Sequence, residues 1–208
     1  MTEDIQGPAY RVHSARLVIR CWDPRDAVLL KAAIDQSVDH LRPWVPWVHA
    51  EPEALQKKID RLREFRAKFD LGQDYYYGIF NQAESEVLGA IGLHSRAGQH
   101  SREIGYWIHK DYINQGFATE SAAALVRVAF EIDHVRWVEI RCNPENIRSV
   151  AIPSKLGFTH EVTLKRRTAF LDQLLDDMIW SLFIEDYPDS PAAAAEIEAY
   201  DVVGRRIL

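Results

Sequence analysis

The stretch "DYINQGFATES" (residues 111–121) ends a short polar turn in Gly116 and opens directly into a run with helical spacing. A helix that starts on a glycine leaves its first N–H groups without partners, and these groups, aligned with the helix dipole, attract an anion. The candidate donors are the main-chain groups of Asn114, Gln115, Gly116, Phe117, Ala118 and Thr119, since no lysine or arginine is in reach along the sequence. Farther on, Asn146 is placed to cap a second helix. Trp44 and Trp47 in "LRPWVPW", with Tyr75, Tyr76 and Tyr77, have the rigid shape and polar tips that wall a small-molecule pocket. His94 ends a strand pattern, where its ring could face the same cleft.

These groups need a scaffold. "RLVIRCW" (16–22) alternates as a strand, and Asp23 and Pro24 are an N-cap and first-turn pair for the helix that follows. Leu55, Ile59, Leu62, Phe65 and Phe69 recur at helical spacing between about Pro52 and Asp70, and the charged residues on the opposite face read as solvated. Runs at 75–80, 87–95 and 103–109 predict an antiparallel meander. The helix after Gly116 is followed by a strand at 136–142, so a strand, helix, strand unit encloses the glycine turn and predicts one parallel pairing in a mixed sheet. A short helix from Asn146 to about Leu156 and a hairpin of two strands, 159–170 and 175–184, complete the sheet, and the alanine-rich tail at 190–208 reads as helical.

Length and composition narrow the function. With 208 residues and 47% hydrophobic content, the chain reads as one domain over 1–208. A net charge of -6 argues against a nucleic-acid or membrane-surface binder, so any anionic ligand must be held locally. Cys21, Cys142 and the eight histidines lack metal-type spacing, so no metal and no disulfide scaffold is expected. No apolar run reaches transmembrane length and "MTEDIQGPAY" lacks the pattern of a signal peptide, which makes the cytoplasm the expected location.

Three segments in order, "EIGYWIHKDYINQGFATESAAALV", "VEIRCNPENIRSVAIPSKLGF" and a terminal hairpin ending "DDMIWSLF", resemble the GNAT superfamily of acyl-CoA-dependent N-acyltransferases, in particular its RimJ/RimL-type branch. The likeness extends back through "LRPWVPW" and "RLVIRCWDPRDA" and so covers nearly the whole chain. It implies an α/β GNAT fold: a mixed, mostly antiparallel sheet of about seven strands, split near its middle, with helices on both faces. The family's pyrophosphate loop, Q/R-x-x-G-x-G/A, is matched by Gly116 and Ala118, with Ile113 in place of the leading residue.

The resemblance further implies acetyl-CoA as co-substrate and a primary amine as acceptor, a protein N-terminus before a small-molecule amine such as an antibiotic or polyamine; a homodimer is compatible with it. It places Trp107, Ile108 and His109 beside the pantetheine arm, with Asn146 touching it. Glu103 stands where several family members keep a general base. Ser149 matches the N-x-x-S pattern of a donor to the leaving thiolate, while the tyrosine that many relatives use for this is replaced near Pro153 and the hairpin glutamate of RimL-like enzymes by Thr168. A non-catalytic acyl-CoA-binding module is the contrasting reading, and a nucleic-acid binder is a weaker one.

Overall fold

The structure is a computed structural model that describes residues 7–208; residues 1–6, most of the stretch read for a leader, lie outside the described residues. Among the described residues nine strands form one sheet: β1 (Arg11–His13), β2 (Leu17–Cys21), β3 (Tyr75–Asn81), β4 (Val87–His94), β5 (Ser101–Ile108), β6 (Trp137–Cys142), β7 (Thr159–Phe170), β8 (Gln173–Phe183) and β9 (Glu198–Tyr200). Their spatial order is β7-β8-β6-β5-β4-β3-β2-β1-β9. The two beyond the expected seven, β1 and β9, have three residues each, too few for alternation to register in the sequence.

Four α-helices pack on the sheet: α1 (Ala27–Leu41), α2 (Leu55–Asp70), α3 (Phe117–Glu131) and α4 (Ile147–Lys155). Leu30 and Ile34 of α1 and Leu62 of α2 join Trp22 and Phe80 in one buried cluster. Leu125, Ala129 and Phe130 of α3 join Ile104, Val138 and Ile140 in the other, so helices cover both faces. Asp23 accepts the N–H of Arg25 while Asp26 accepts that of Asp23, which makes the expected cap there a reciprocal one.

All strand pairs are antiparallel except β5 with β6, the pairing predicted around the glycine turn. Residues 101–104 of β5 lie against 137–140 of β6, and there the pairing stops. Beyond it β5 continues to Ile108 bonded only to β4, and β6 continues to Cys142 bonded only to β8. The sheet therefore opens after Ile104, leaving one edge of β5 unpaired in the middle of the fold.

Two local expectations are overturned. The tail at 190–208 is not helical: it runs through turns into β9, and Ala199 exchanges main-chain bonds with Ile207 and Leu208. Ala192 and Ala199 are fully buried and Arg127 Nη1 donates to the Ala195 carbonyl at 2.7 Å, so tertiary contacts override the helix propensity of the alanine run. Likewise the charged face of α2 is not wholly solvated, because Lys58 is fully buried against Glu51 and Glu53. This cluster, joined by Arg61 at 2.9 Å from Glu53, ties α2 to the 3-10 segment Pro46–Ala50 that carries Trp47.

Candidate active site

Gly116 enters α3 with φ +85°, a conformation that a side chain disfavours, and no side chain caps the helix. Its first-turn N–H groups are therefore open to a ligand. Against the sequence reading, an arginine does reach this loop: Arg16 Nη1 donates to the Gln115 carbonyl at 3.0 Å, and its guanidinium lies 4.4 Å from the Phe117 ring centre. Glu120 in turn holds Arg16. The Gln115 side chain folds back to the Asp111 carbonyl.

The loop forms one end of a cavity of about 370 Å³ that runs along the open edge of β5. Asn114, Gly116, Phe117, Ala118 and Thr119 line it, as do Trp107 and Ile108 from β5 and Asn146 and Ser149 from the start of α4. Arg148 and Lys155 add local positive charge. His109 does not reach this cavity: it is buried, its N–H donates to the Leu88 carbonyl and its Nδ1 accepts from Asp111 N–H. Trp44 lines this cavity, whereas Trp47, read with it as part of one pocket wall, does not.

At the inner end of the groove Asn146 caps α4 by accepting the Ser149 N–H at 3.3 Å. The Tyr106 hydroxyl reaches Ser149 Oγ at 3.1 Å. Burial pushes the Tyr106 hydroxyl well above the ordinary tyrosine range, which keeps it a donor, and the hydrogen bond with Ser149 offsets only part of that.

Tyr106, Trp107 and Val45 also line a second, more apolar cavity of about 450 Å³. Trp47 stands against Trp107 edge to face, Tyr76 stacks on Phe65 at 4.0 Å, and His94 completes the wall with Arg61 and Arg96 at its polar side. Tyr77 borders this space but is fully buried, with its hydroxyl donating to the Ala9 carbonyl and its ring against Phe69, so its role is in the core. Glu103 lies outside both linings, with Arg96 at 3.4 Å. A larger hollow of about 720 Å³ near β1 and β9 is far less suited to hold an anion, since its arginines are occupied: Arg11 and Arg20 by Glu84, Arg25 by Asp23 and Arg66 by Asp70.

The sequence reading missed Arg16, Tyr106, Arg148 and Lys155. Only the last two carry a sequence signal, as cations on the helix opened by Asn146.

The chain is 26% identical over 185 residues to the [ribosomal protein uS5]-alanine N-acetyltransferase of Escherichia coli, covering 86% of this chain and 94% of that one. It is also 26% identical over 129 residues to the ribosomal-protein-serine acetyltransferase of the same organism, covering 61% and 72%. In structure it is similar to Mycobacterium smegmatis RimJ in complex with CoA-disulfide, with a TM-score of 0.79 over 88% of this chain and 91% of that chain at 24% identity. The microcin C7 self-immunity acetyltransferase MccE in complex with acetyl-CoA and AMP gives 0.76 over 82% and 93% at 17% identity. The family model for the acetyltransferase (GNAT) domain matches residues 16–159, which include the open edge of β5, the glycine turn and the start of α4. The split sheet and its uncapped helix are thus the frame of an acyl-CoA-dependent acetyltransferase, and the chain belongs to the GNAT family, within reach of its ribosomal-protein N-acetyltransferases.

Proposed function

We propose that this chain transfers an acetyl group from acetyl-CoA to a primary amine, with a protein N-terminal α-amine as the leading acceptor. The observation that carries the reading is the meeting of the two cavities at Tyr106 and Trp107, just past the point where β5 leaves β6. One cavity has the donors for a phosphate-bearing thioester and the other an apolar chamber for the amine. The residues fit the co-substrate: the N–H groups of 117–119 with Arg148 and Lys155 for phosphates, the free edge of β5 for an amide-bearing arm, and Ser149 for the sulfur.

Acyl transfer from a thioester needs a neutral amine held near the carbonyl carbon and a donor for the departing thiolate. Ser149 Oγ supplies the donor, with Tyr106 behind it. An α-amine, with a reference pKa near 8 against about 10.4 for lysine, asks less of any base. The kinship with enzymes acting on ribosomal-protein alanine and serine supports an α-amine acceptor.

The test is thiol release from acetyl-CoA with a panel of peptides, polyamines and aminoglycosides, followed by mass spectrometry of the product. Acetyl on the α-nitrogen of a peptide supports the reading. Acetylation confined to polyamines or aminoglycosides moves the acceptor to a small molecule, and tight acetyl-CoA binding without thiol release for any amine overturns catalysis.

A further inference from the structure

His94 is held as a base would be. It ends β4 buried, and its Nδ1 lies 2.9 Å from Asp74 Oδ1. The Tyr76 ring meets the imidazole edge to face at 5.0 Å, and the Asp74 carboxylate raises the Tyr76 hydroxyl above its ordinary range on top of burial. Burial pushes the Asp74 carboxyl up, but the hydrogen bond with His94 outweighs it, with Tyr76 and Arg96 adding to it, and holds the carboxyl below the ordinary carboxylate range. An ionised Asp74 fixes the ring proton on Nδ1 and leaves the Nε2 lone pair free. Nε2 makes no hydrogen bond among the described residues, and the ring lines the apolar cavity.

Two glycines make room for this ring. A Cβ at Gly92 would lie 2.6 Å from His94 Cε1 and Nε2, so no side chain fits there without displacing the imidazole. A Cβ at Gly105 would lie 3.6 Å from Nε2. Gly105 is the first residue of β5 past its last pairing with β6, next to Tyr106, so Nε2 stands over the point where the two cavities join. Glu103, directly opposite His94 across the β4–β5 pair, instead faces Arg96.

We infer that His94, positioned by Asp74, is the general base that deprotonates the acceptor amine. The inference rests on the reading of the chain as an amine acetyltransferase. The acceptor ammonium gives a proton to Nε2. Its nitrogen lone pair forms the C–N bond at the thioester carbonyl, the C–S bond breaks, and the nitrogen loses a second proton. One of the two protons ends on the CoA thiol and the other leaves to solvent, so the products are the amide, CoA thiol and one proton. The charged or titratable groups around the imidazole are Asp74 before β3, Tyr76 on β3, Arg96 after β4, Glu103 on β5 and Arg61 on α2.

The experiment measures thiol release between pH 6 and 9 with a short peptide bearing a free N-terminal alanine, for wild type, His94→Gln, Asp74→Asn and His94→Ala, with acetyl-CoA binding followed by thermal shift. His94→Gln should lose roughly 100-fold or more in turnover at neutral pH, within the range for a lost general base, and recover as pH rises and solvent deprotonates the amine. Asp74→Asn should lose about tenfold, an intermediate loss for a residue that only orients the base. His94→Ala should be partly restored by free imidazole, which can fill the space between Gly92 and Gly105. All variants should keep the acetyl-CoA shift, since His94 lies outside that groove. Near-normal turnover of His94→Gln, or a pH-independent loss with no imidazole rescue, would overturn the assignment. Wild type that releases no thiol with this peptide or any amine in the panel defeats the acetyltransferase reading and the base with it, whereas an active wild type with an unaffected His94→Gln defeats the base alone.

Discussion

Tyr106 on β5 and Ser149 on α4, 43 positions apart in sequence, share a hydrogen bond of 3.1 Å where β5 has parted from β6. Tyr106 Oη has one proton, which it can give to Ser149 Oγ or to the Ser149 carbonyl at 3.3 Å; given to Oγ, it leaves the serine proton free for a group in the groove. Such a chain polarises each member and makes serine a better donor than it is alone.

From this arrangement, Tyr106→Phe should lower turnover by about tenfold, the order of one hydrogen bond to a charged group, and leave acetyl-CoA affinity nearly unchanged. Ser149→Ala should lower it at least as much. Because both act through one donor, the double variant should be close to Ser149→Ala in a double-mutant cycle. Fully additive losses would separate the two residues.

Acetyl-CoA should stabilise the fold by roughly 2.7 kcal/mol at about 100 times its dissociation constant, a rise of about 5–10 °C in melting temperature. Gly116→Val should remove most of that rise, because a branched side chain at φ +85° strains the turn and fills the anion's approach. Calorimetry showing wild-type affinity in a folded Gly116→Val protein would refute the loop assignment.

For Glu103→Gln the expected turnover is within about threefold of wild type at every pH, because a partly exposed carboxylate paired with one arginine is worth little. A loss of about 100-fold that narrows with rising pH would make Glu103 the base in place of His94.

The Lys58 cluster bears on stability more than on chemistry. Lys58→Met leaves buried Glu51 with only Arg61, at 3.9 Å, as a cationic partner and should cost about 3–5 kcal/mol, seen as a melting temperature lower by roughly 10 °C. If Trp47 depends on this anchor, the Michaelis constant for the amine should rise while that for acetyl-CoA stays put.

Acid should destabilise the protein in a defined window. The hydrogen bond from Arg25 lowers the Asp23 carboxyl to about 2, and those from Lys58 and Arg61 lower Glu53 against the opposing effect of burial. A depressed folded value stabilises above the unfolded value and is lost as pH falls through the folded one, so melting temperature should decline from about pH 4 toward 2. Scanning calorimetry of Asp23→Asn should show a shallower decline there, and an unchanged slope would remove Asp23 from the effect.

The parts legible in the sequence are those that depend on near neighbours. Asp23 with Pro24, Gly116 before α3 and Asn146 before α4 are local devices, and the residues that make them lie within a turn of each other. The strand, helix, strand unit around Gly116 was enough to predict the parallel pair, while the opening of the sheet beside it was an implication of the family resemblance. Tertiary structure decided the rest, because burial and charge pairing join residues that no window of sequence holds together. Arg16 meets Gln115 across 99 positions, Tyr106 meets Ser149 across 43 and Asp74 meets His94 across 20. The alanine tail shows the same limit from the other side: its helix propensity amounts to tenths of a kcal/mol per residue, and burying Ala192 and Ala199 while bonding the chain end to β9 outweighs it.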